Sequence, residues 1–411
     1  MFQDCQGRIS RRQFVTSAAT AAAATAAFPA FVRGAAADKP LRIGLIGSGG
    51  RGTGAVSDAI TADPSVKLVA MADLYPDRIE GSLERLKDKV EVDPQKRFLG
   101  LDGYKKVLEQ ELDYVILATP PYYRPEHLAA CVEAGVHVFM EKPVAVDPVG
   151  ARAIMEAGQK ARAKGLSVAA GTQRRHQKQY IETIRRIHEG AIGKVLSACC
   201  YWNTRQLWYR ERQPGWSEDE WMHRDWVNWC WLSGDHIVEQ HVHNLDVVNW
   251  VLGTHPEKVV AMGARMRRVT GDQYDFFDSD FTYPDGVHVI SQCRQINGCA
   301  NNVSEYVRGQ KGHAKPGGFI STVGKIEVES PNPYVQEHKD LIDAIRTEKP
   351  INEAQNVAES TLCAIMARTS AYTGKEVTWE EMMASDMVIG RPDYELTPDT
   401  IRAHIPVPGE A

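Results

Sequence analysis

No run of about 18 to 20 apolar residues appears beyond the N-terminal stretch of this 411-residue chain, which excludes a helical membrane span there. Neither sign of charge is in large excess: 48 Lys and Arg stand against 53 Asp and Glu, a formal net charge of −5. No dense basic stripe occurs either, so the footprint that nucleic acid requires is missing. None of the eight cysteines forms a C-x-x-C pair; the closest are Cys199-Cys200 and the pair Cys293 and Cys299. Those spacings match no zinc or redox motif, so the thiols are expected as small buried hydrophobes with no disulfide framework. What is present, 43% apolar and 25% charged residues, describes an ordinary globular protein too long for a single core.

The first 37 residues stand apart. Ser10-Arg11-Arg12-Gln13-Phe14 is followed by an Ala-rich stretch and then by the small residues Gly34-Ala35-Ala36-Ala37. This pattern reads as a twin-arginine export signal over residues 1–37. It implies the twin-arginine machinery as a partner and a periplasmic or otherwise exported location. That route carries folded proteins, so a cofactor loaded in the cytoplasm can travel inside.

After it, Leu41 to Ile46 has the length and apolarity of a buried strand and leads into Gly47-Ser48-Gly49-Gly50-Arg51-Gly52. A G-x-G-x-x-G between a strand and a helix has a physical reading. Gly47 permits the tight turn, Gly49 lets a pyrophosphate approach the backbone, and Gly52 lets helix and strand pack closely. A second strand, Val66 to Ala72, ends in Asp73, an acid placed to accept bonds from a ribose diol. NAD is therefore expected, with Arg51 and Arg78 leaving NADP open. Strands at Tyr114 to Ala118, His137 to Met140 and Ser167 to Ala170 alternate with helices near 125–134 and 148–164. That alternation predicts a doubly wound parallel sheet over residues 38–172. Ligands bind such sheets at the carboxyl ends of the strands, where Thr119, Pro120, Glu141, Lys142 and Gln173 fall.

These residues resemble the Gfo/Idh/MocA oxidoreductase family, which includes glucose–fructose oxidoreductase and inositol dehydrogenase. The resemblance rests on the glycine loop, on Ala118-Thr119-Pro120-Pro121, and above all on Ala134-Gly135-Val136-His137-Val138-Phe139-Met140-Glu141-Lys142-Pro143. Gly190-Ala191-Ile192-Gly193-Lys194-Val195 and His243-Asn244-Leu245-Asp246 extend it to roughly residues 41–375. Where many relatives carry histidines after the Thr-Pro pair, this chain has Tyr122 and Arg124. The resemblance implies a catalytic Lys142, with His243 as the base beside it and Glu239 in place of the family's Asp. It also implies a homodimer or homotetramer formed through the second domain's sheet.

That second domain is expected over residues 173–375, as an α+β unit with an open, mainly antiparallel sheet, followed by a tail at 376–411. Pro284-Asp285-Gly286 marks a hairpin between strands. Read as one helix, the segment around 236–246 places Glu239 and His243 at i and i+4 on one face. Read as a strand, it would line up Glu239, His241 and His243 as metal ligands. The helical spacing of Leu245, Val248 and Leu252 argues against the strand, and no metal is expected.

Histidine suits removal of a hydroxyl proton because its unperturbed pKa lies near neutrality. Glu239 would fix the imidazole tautomer or bind a neighbouring hydroxyl. His236, His241, Arg174 and Trp226 are the candidate substrate contacts. Eight of the nine tryptophans lie between Trp202 and Trp250, and the stretch 203–233 reads as an irregular polar–aromatic insertion rich in arginine. It reads as a saccharide-binding lid or as a packed loop. The expected activity is oxidation of a ring hydroxyl of a sugar, glycoside or cyclic polyol with a tightly bound cofactor. A glycosidase working by transient oxidation and elimination, or a non-catalytic dinucleotide and sugar sensor, are the alternatives.

Overall fold

A computed structural model describes residues 39–410; the export signal read at residues 1–37 lies outside the described residues. Among them no helix is long and apolar enough to cross a membrane. The first sheet contains β1 (Arg42–Ile46), β2 (Lys67–Asp73), β3 (Arg97–Leu99), β4 (Tyr114–Leu117), β5 (His137–Met140) and β6 (Val168–Ala170). All six are parallel, in the order β3-β2-β1-β4-β5-β6. The connections are α1 (Gly50–Ala62), α2 (Pro76–Leu86), α3 (Gly103–Leu108), α4 (Arg124–Glu133) and α5 (Pro148–Ala163). β4 is buried at every residue, as a strand covered on both faces must be. α5 starts because Asp147 caps it, accepting from the Gly150 N–H at 2.8 Å, with Pro148 preset for the first turn. The chain reverses winding between β1 and β4, which opens a crevice at their carboxyl ends.

After α6 (Lys178–His188) a nine-stranded sheet begins with β7 (Val195–Thr204). Four short helices follow: α7 (Glu218–Arg224), α8 (Cys230–Ser233), α9 (His236–Glu239) and α10 (Val242–Leu252). Then come β8 (Lys258–Ala264), β9 (Phe276–Tyr283), β10 (Val287–Gln295), β11 (Asn302–Gly309), β12 (His313–Lys315), β13 (Phe319–Ile320) and β14 (Gly324–Lys325). α11 (Pro333–Thr347), α12 (Ala354–Thr373), β15 (Val377–Thr378), α13 (Trp379–Ala384) and α14 (Pro398–Ala403) complete the chain. The order is β14-β13-β12-β11-β7-β10-β9-β8-β15, antiparallel except for β7 beside β10. The mainly antiparallel α+β reading of this half therefore holds.

Two expectations need correction. The segment 236–246 is not one helix: α9 ends at Glu239, the chain turns through Gln240 and His241, and α10 begins at Val242. The break follows from local demands. Gly234 and Asp235 both have positive φ (82° and 75°). Asp235 holds that strained conformation because its buried carboxylate accepts from the Tyr274 N–H, the Tyr372 hydroxyl and the His236 N–H. The insertion at 203–233 is not irregular throughout, since it contains α7 and α8. At the start of the segment 376–411, Val377 pairs with Val259 and extends the second sheet.

Candidate active site at the carboxyl ends of the parallel strands

The glycine loop adopts the conformation its sequence requires. Gly47 sits at φ 96°, and a Cβ there would lie 2.6 Å from the Ala118 carbonyl carbon. A Cβ on Gly52 would lie 2.0 Å from the Gly47 oxygen, whereas one on Gly49 would meet nothing within 4 Å. Gly49 is thus kept open toward the crevice, and no side chain caps the start of α1. That uncapped start, facing open space, is a cradle for an anionic phosphate. Asp73 closes one end: its carboxylate accepts from the Ser48 N–H at 2.7 Å and the Tyr75 N–H at 3.2 Å. Burial raises the pKa of its carboxyl, against the pull of those two bonds.

A cavity of about 520 Å³ runs over this loop. Gly47, Gly49, Gly50, Arg51, Asp73, Thr119 and Pro120 line it, and so do Trp208, Arg210, His223 and Trp226 of the insertion. Trp226, expected at the substrate, therefore belongs to the wall facing the glycine loop. His127 also lines the cavity; its ring lies 3.3 Å from the Thr119 hydroxyl, and burial lowers its pKa to about 3.

Arg51 links this cavity to the reactive group. Its guanidinium pairs with Glu141 and, at 3.0 Å, with Glu337 of α11. Lys142 follows Glu141, and its ammonium donates to the Glu239 carbonyl and, at 3.0 Å, to the Glu239 carboxylate. The expected Glu239–His243 partnership is replaced by Glu239–Lys142, because the turn at Gln240 and His241 removes the shared helical face. His243 stacks on Trp202, centroids 5.6 Å apart, and is 8% exposed. Burial, then the charges of Lys142, Arg174 and Arg51, hold its pKa well below the ordinary value, so the imidazole is neutral.

His236 and His241 are not presented to a ligand. His236 is 2% exposed and packs on Phe277, and His241 is fully buried with Nε2 2.7 Å from the Ser291 hydroxyl. Both serve the interior, which is where the turn before α10 sends them. Arg174 pairs with Glu305 and lies over the Tyr180 and Trp202 rings. Gln173 reaches the Tyr334 hydroxyl at 3.3 Å, away from the cavity wall. Among the described residues no group of three or more metal-ligating side chains converges.

Sequence reasoning missed Arg124 and Glu337. Arg124 is 1% exposed and donates to the carbonyls of Thr119, Glu141 and Pro143, tying together the loops that leave β4 and β5. Its identity was visible as a departure from the relatives, but nothing in the sequence marked it as buried. Glu337 is fully buried; burial and the nearby Glu141 push its pKa well above the carboxylate range. No motif surrounds it.

Two family models match the chain: the oxidoreductase family with an NAD-binding Rossmann fold over residues 41–170, and the GFO/IDH/MocA C-terminal domain over residues 180–315. An inositol 2-dehydrogenase of Saccharopolyspora erythraea is 28% identical over 238 residues, 57% of this chain and 60% of that protein. A 2,7-anhydro-N-acetylneuraminate hydratase of Mediterraneibacter gnavus is 28% identical over 188 residues, 44% of this chain and 45% of that protein. The chain thus spans at most about 60% of the length of either relative. The crystal structure of scyllo-inositol dehydrogenase from Lactobacillus casei, with bound NAD(H) and scyllo-inositol, superimposes with a TM-score of 0.64 at 19% identity. That match covers 84% of this chain and all of the other. With a glycine-loop crevice over a parallel sheet and both family models matched in order, the chain belongs to the Gfo/Idh/MocA family of oxidoreductases and carries its NAD-binding Rossmann domain.

Proposed function

We propose that the protein is an exported NAD-dependent oxidoreductase that oxidises a ring hydroxyl of a neutral cyclic polyol or sugar. The observation that carries this reading is the buried group of Lys142, Glu239 and neutral His243, joined through Glu141 and Arg51 to the glycine loop. The residues present fit a dinucleotide: the start of α1 would hold the pyrophosphate and Asp73 the ribose diol. A nicotinamide bound there supplies the hydride acceptor. His243 takes the hydroxyl proton, for which an uncharged imidazole is required. Lys142 has a third N–H free after its two bonds to Glu239 and directs it at the same oxygen as negative charge develops.

The substrate class follows from charge pairing. Lys142 is matched by Glu239, Arg174 by Glu305, Arg51 by Glu141 and Arg175 by Asp246. These four cations are each taken up by a protein carboxylate rather than offered to a substrate anion, which favours a neutral polyol or sugar. The relative named as an inositol 2-dehydrogenase supports that class. The twin-arginine reading of residues 1–37 supports export, and outside the cytoplasm a cofactor must be retained and recycled by a second substrate. Association into a homodimer or homotetramer would use the second sheet's outer face, where Val260, Met262 and Ile290 are exposed.

A second reading is supported by the relative named as a hydratase. In that reading oxidation of this protein's substrate is transient: hydride returns to the substrate after an elimination, with no net redox change. The test is the near-ultraviolet nicotinamide signal of the purified, NAD-loaded protein mixed with neutral polyols, sugars and glycosides. Lasting reduction that a carbonyl acceptor reverses, lost in Lys142→Met and His243→Ala, is the expected result. Bond cleavage without lasting reduction selects the second reading, and failure to bind any dinucleotide overturns both.

A further inference from the structure

The arginine-rich aromatic insertion, read from the sequence as a saccharide-binding lid or a packed loop, sends side chains into the crevice of the glycine loop. Trp208, Arg210, His223 and Trp226 share the cavity wall with Gly49, Asp73 and Arg78. Trp208 keeps 46% of its surface exposed, and its ring meets Trp226 edge-on at 6.3 Å. An indole left half-bare in the wall of a nucleotide crevice offers a face for stacking a base.

The insertion is hydrogen-bonded within itself and is fastened to the Rossmann domain at a few points. Asp225 holds it from within, accepting from the Arg210 N–H at 2.7 Å, from Asn228 at 2.8 Å and from Thr270 at 3.1 Å. Trp221 donates to the Arg210 carbonyl at 2.7 Å. Toward the first domain, Arg224 makes a two-pronged ion pair with Asp77 of α2, at 2.9 and 3.0 Å. The same guanidinium lies 4.1 Å over the Tyr75 ring, 5.0 Å over the Trp216 ring, and bonds Glu220 at 2.8 Å. His223 adds a 2.6 Å bond to the Tyr123 hydroxyl. Exposed ion pairs contribute little in general, but a bidentate, ring-stacked arginine with a 13% exposed side chain is the favourable exception.

We infer that the insertion is a wall of the dinucleotide site, with Trp208 facing the adenine, and that the Arg224–Asp77 pair latches it shut so that the dinucleotide exchanges only when the latch opens. This inference rests on the dinucleotide-binding reading above and adds its consequence. The cofactor becomes a resident group, reoxidised in place by a second substrate, and the tryptophans act on it as well as on any sugar.

The experiment follows bound NADH leaving the full-length protein. NADH is loaded, free ligand is removed, and energy transfer from tryptophan to the nicotinamide is recorded after adding excess NAD. Asp77→Asn acts at a residue whose side chain is 56% exposed, so it removes the pair without disturbing a core, and Arg224→Lys keeps the charge but loses the fork. Both should speed NADH release about tenfold or more, because breaking a bonded charge pair acts mainly on dissociation. Wild-type protein in 1 M NaCl should shift the same way, since the Asp77 side of the pair is open to screening. Trp208→Ala should cut the energy transfer. Release that stays within about twofold of wild type in both latch variants and at high salt overturns the latch and leaves the oxidoreductase reading standing. Unchanged transfer in Trp208→Ala overturns the base-facing role. If wild-type protein takes up no NADH at all, the dinucleotide reading fails and this inference falls with it.

Discussion

A guanidinium with 1% exposure and no carboxylate partner is an unusual interior group, and Arg124 survives there because three backbone carbonyls accept hydrogen bonds from it. Burial lowers its pKa only to about 10, so it stays charged. Arg124→Met would leave those carbonyls unsatisfied at the mouth of the crevice. The expected loss is about 3 kcal/mol of stability in urea unfolding. Arg124→Lys should recover only part of it, because an ammonium cannot span three acceptors with a planar fork.

His338 presents the opposite case. It is fully buried on Phe139, with centroids 4.1 Å apart, and neither ring nitrogen has a partner. Burial lowers its pKa to about 3, as it does for His127 and His241. Between about 3 and 6.5 the unfolded chain therefore binds more protons than the folded one, so stability must fall as pH falls through that window. Each such histidine contributes up to about 1.4 kcal/mol per pH unit there. His338→Phe should raise stability at pH 7.5 and raise it further at pH 5, measured as urea midpoints at both values. An equal gain at the two pH values would refute the assignment. Lys142 and Asp73 were legible in the sequence because motifs surround them. Arg124 and His338 were not, because burial is a property of the assembled loops and helices.

Among the elements, the strand–loop–helix unit of β1 and α1 was read correctly because each glycine answers a different local constraint. Those constraints predict different failures. Gly52→Ala drives a Cβ to 2.0 Å from a backbone oxygen that cannot move aside, so it should lower the melting temperature and the NADH affinity together. Gly49→Ala meets nothing within 4 Å in the protein, so it should leave the melting temperature unchanged while NADH affinity falls. Paired thermal melts and fluorescence titrations separate the two.

The turn before α10 was not legible, and the reason lies in distant partners. Spacing alone made Glu239 and His243 neighbours. The observed break depends on Tyr274 and Tyr372 holding Asp235 and on Ser291 receiving His241, contacts that span 39, 137 and 50 residues of sequence. β3 and β11 to β14 escaped notice for a related reason. They are short or carry polar residues on an open face, so their strand character comes from the neighbour they pair with.

At the scale of the whole molecule, the C-terminal segment ties the insertion to the rest of the chain. Leu396 and Ile401 are buried against Met222, Trp229, Trp231 and Leu232, with Tyr123 of the first domain packed beside them. The Leu396 N–H donates to Glu218 at 3.3 Å, and Arg391 pairs with Asp219 in the same helix, α7. α7 also carries His223 and Arg224, which fasten the insertion over the crevice. The tail therefore braces the face of the cofactor wall that the Arg224–Asp77 pair does not reach. Truncation after residue 385 removes two buried aliphatic side chains, worth about 1.5 to 3 kcal/mol each in burial, and bares the indoles beneath them. The parallel sheet shares none of that cluster, so far-ultraviolet circular dichroism should be retained. Tryptophan emission should shift to the red, and NADH should leave faster, as in Asp77→Asn. Combining the truncation with Asp77→Asn should give less than the product of the two separate effects, because both loosen one wall. Fully multiplicative release rates would mean that tail and latch act on the dinucleotide independently.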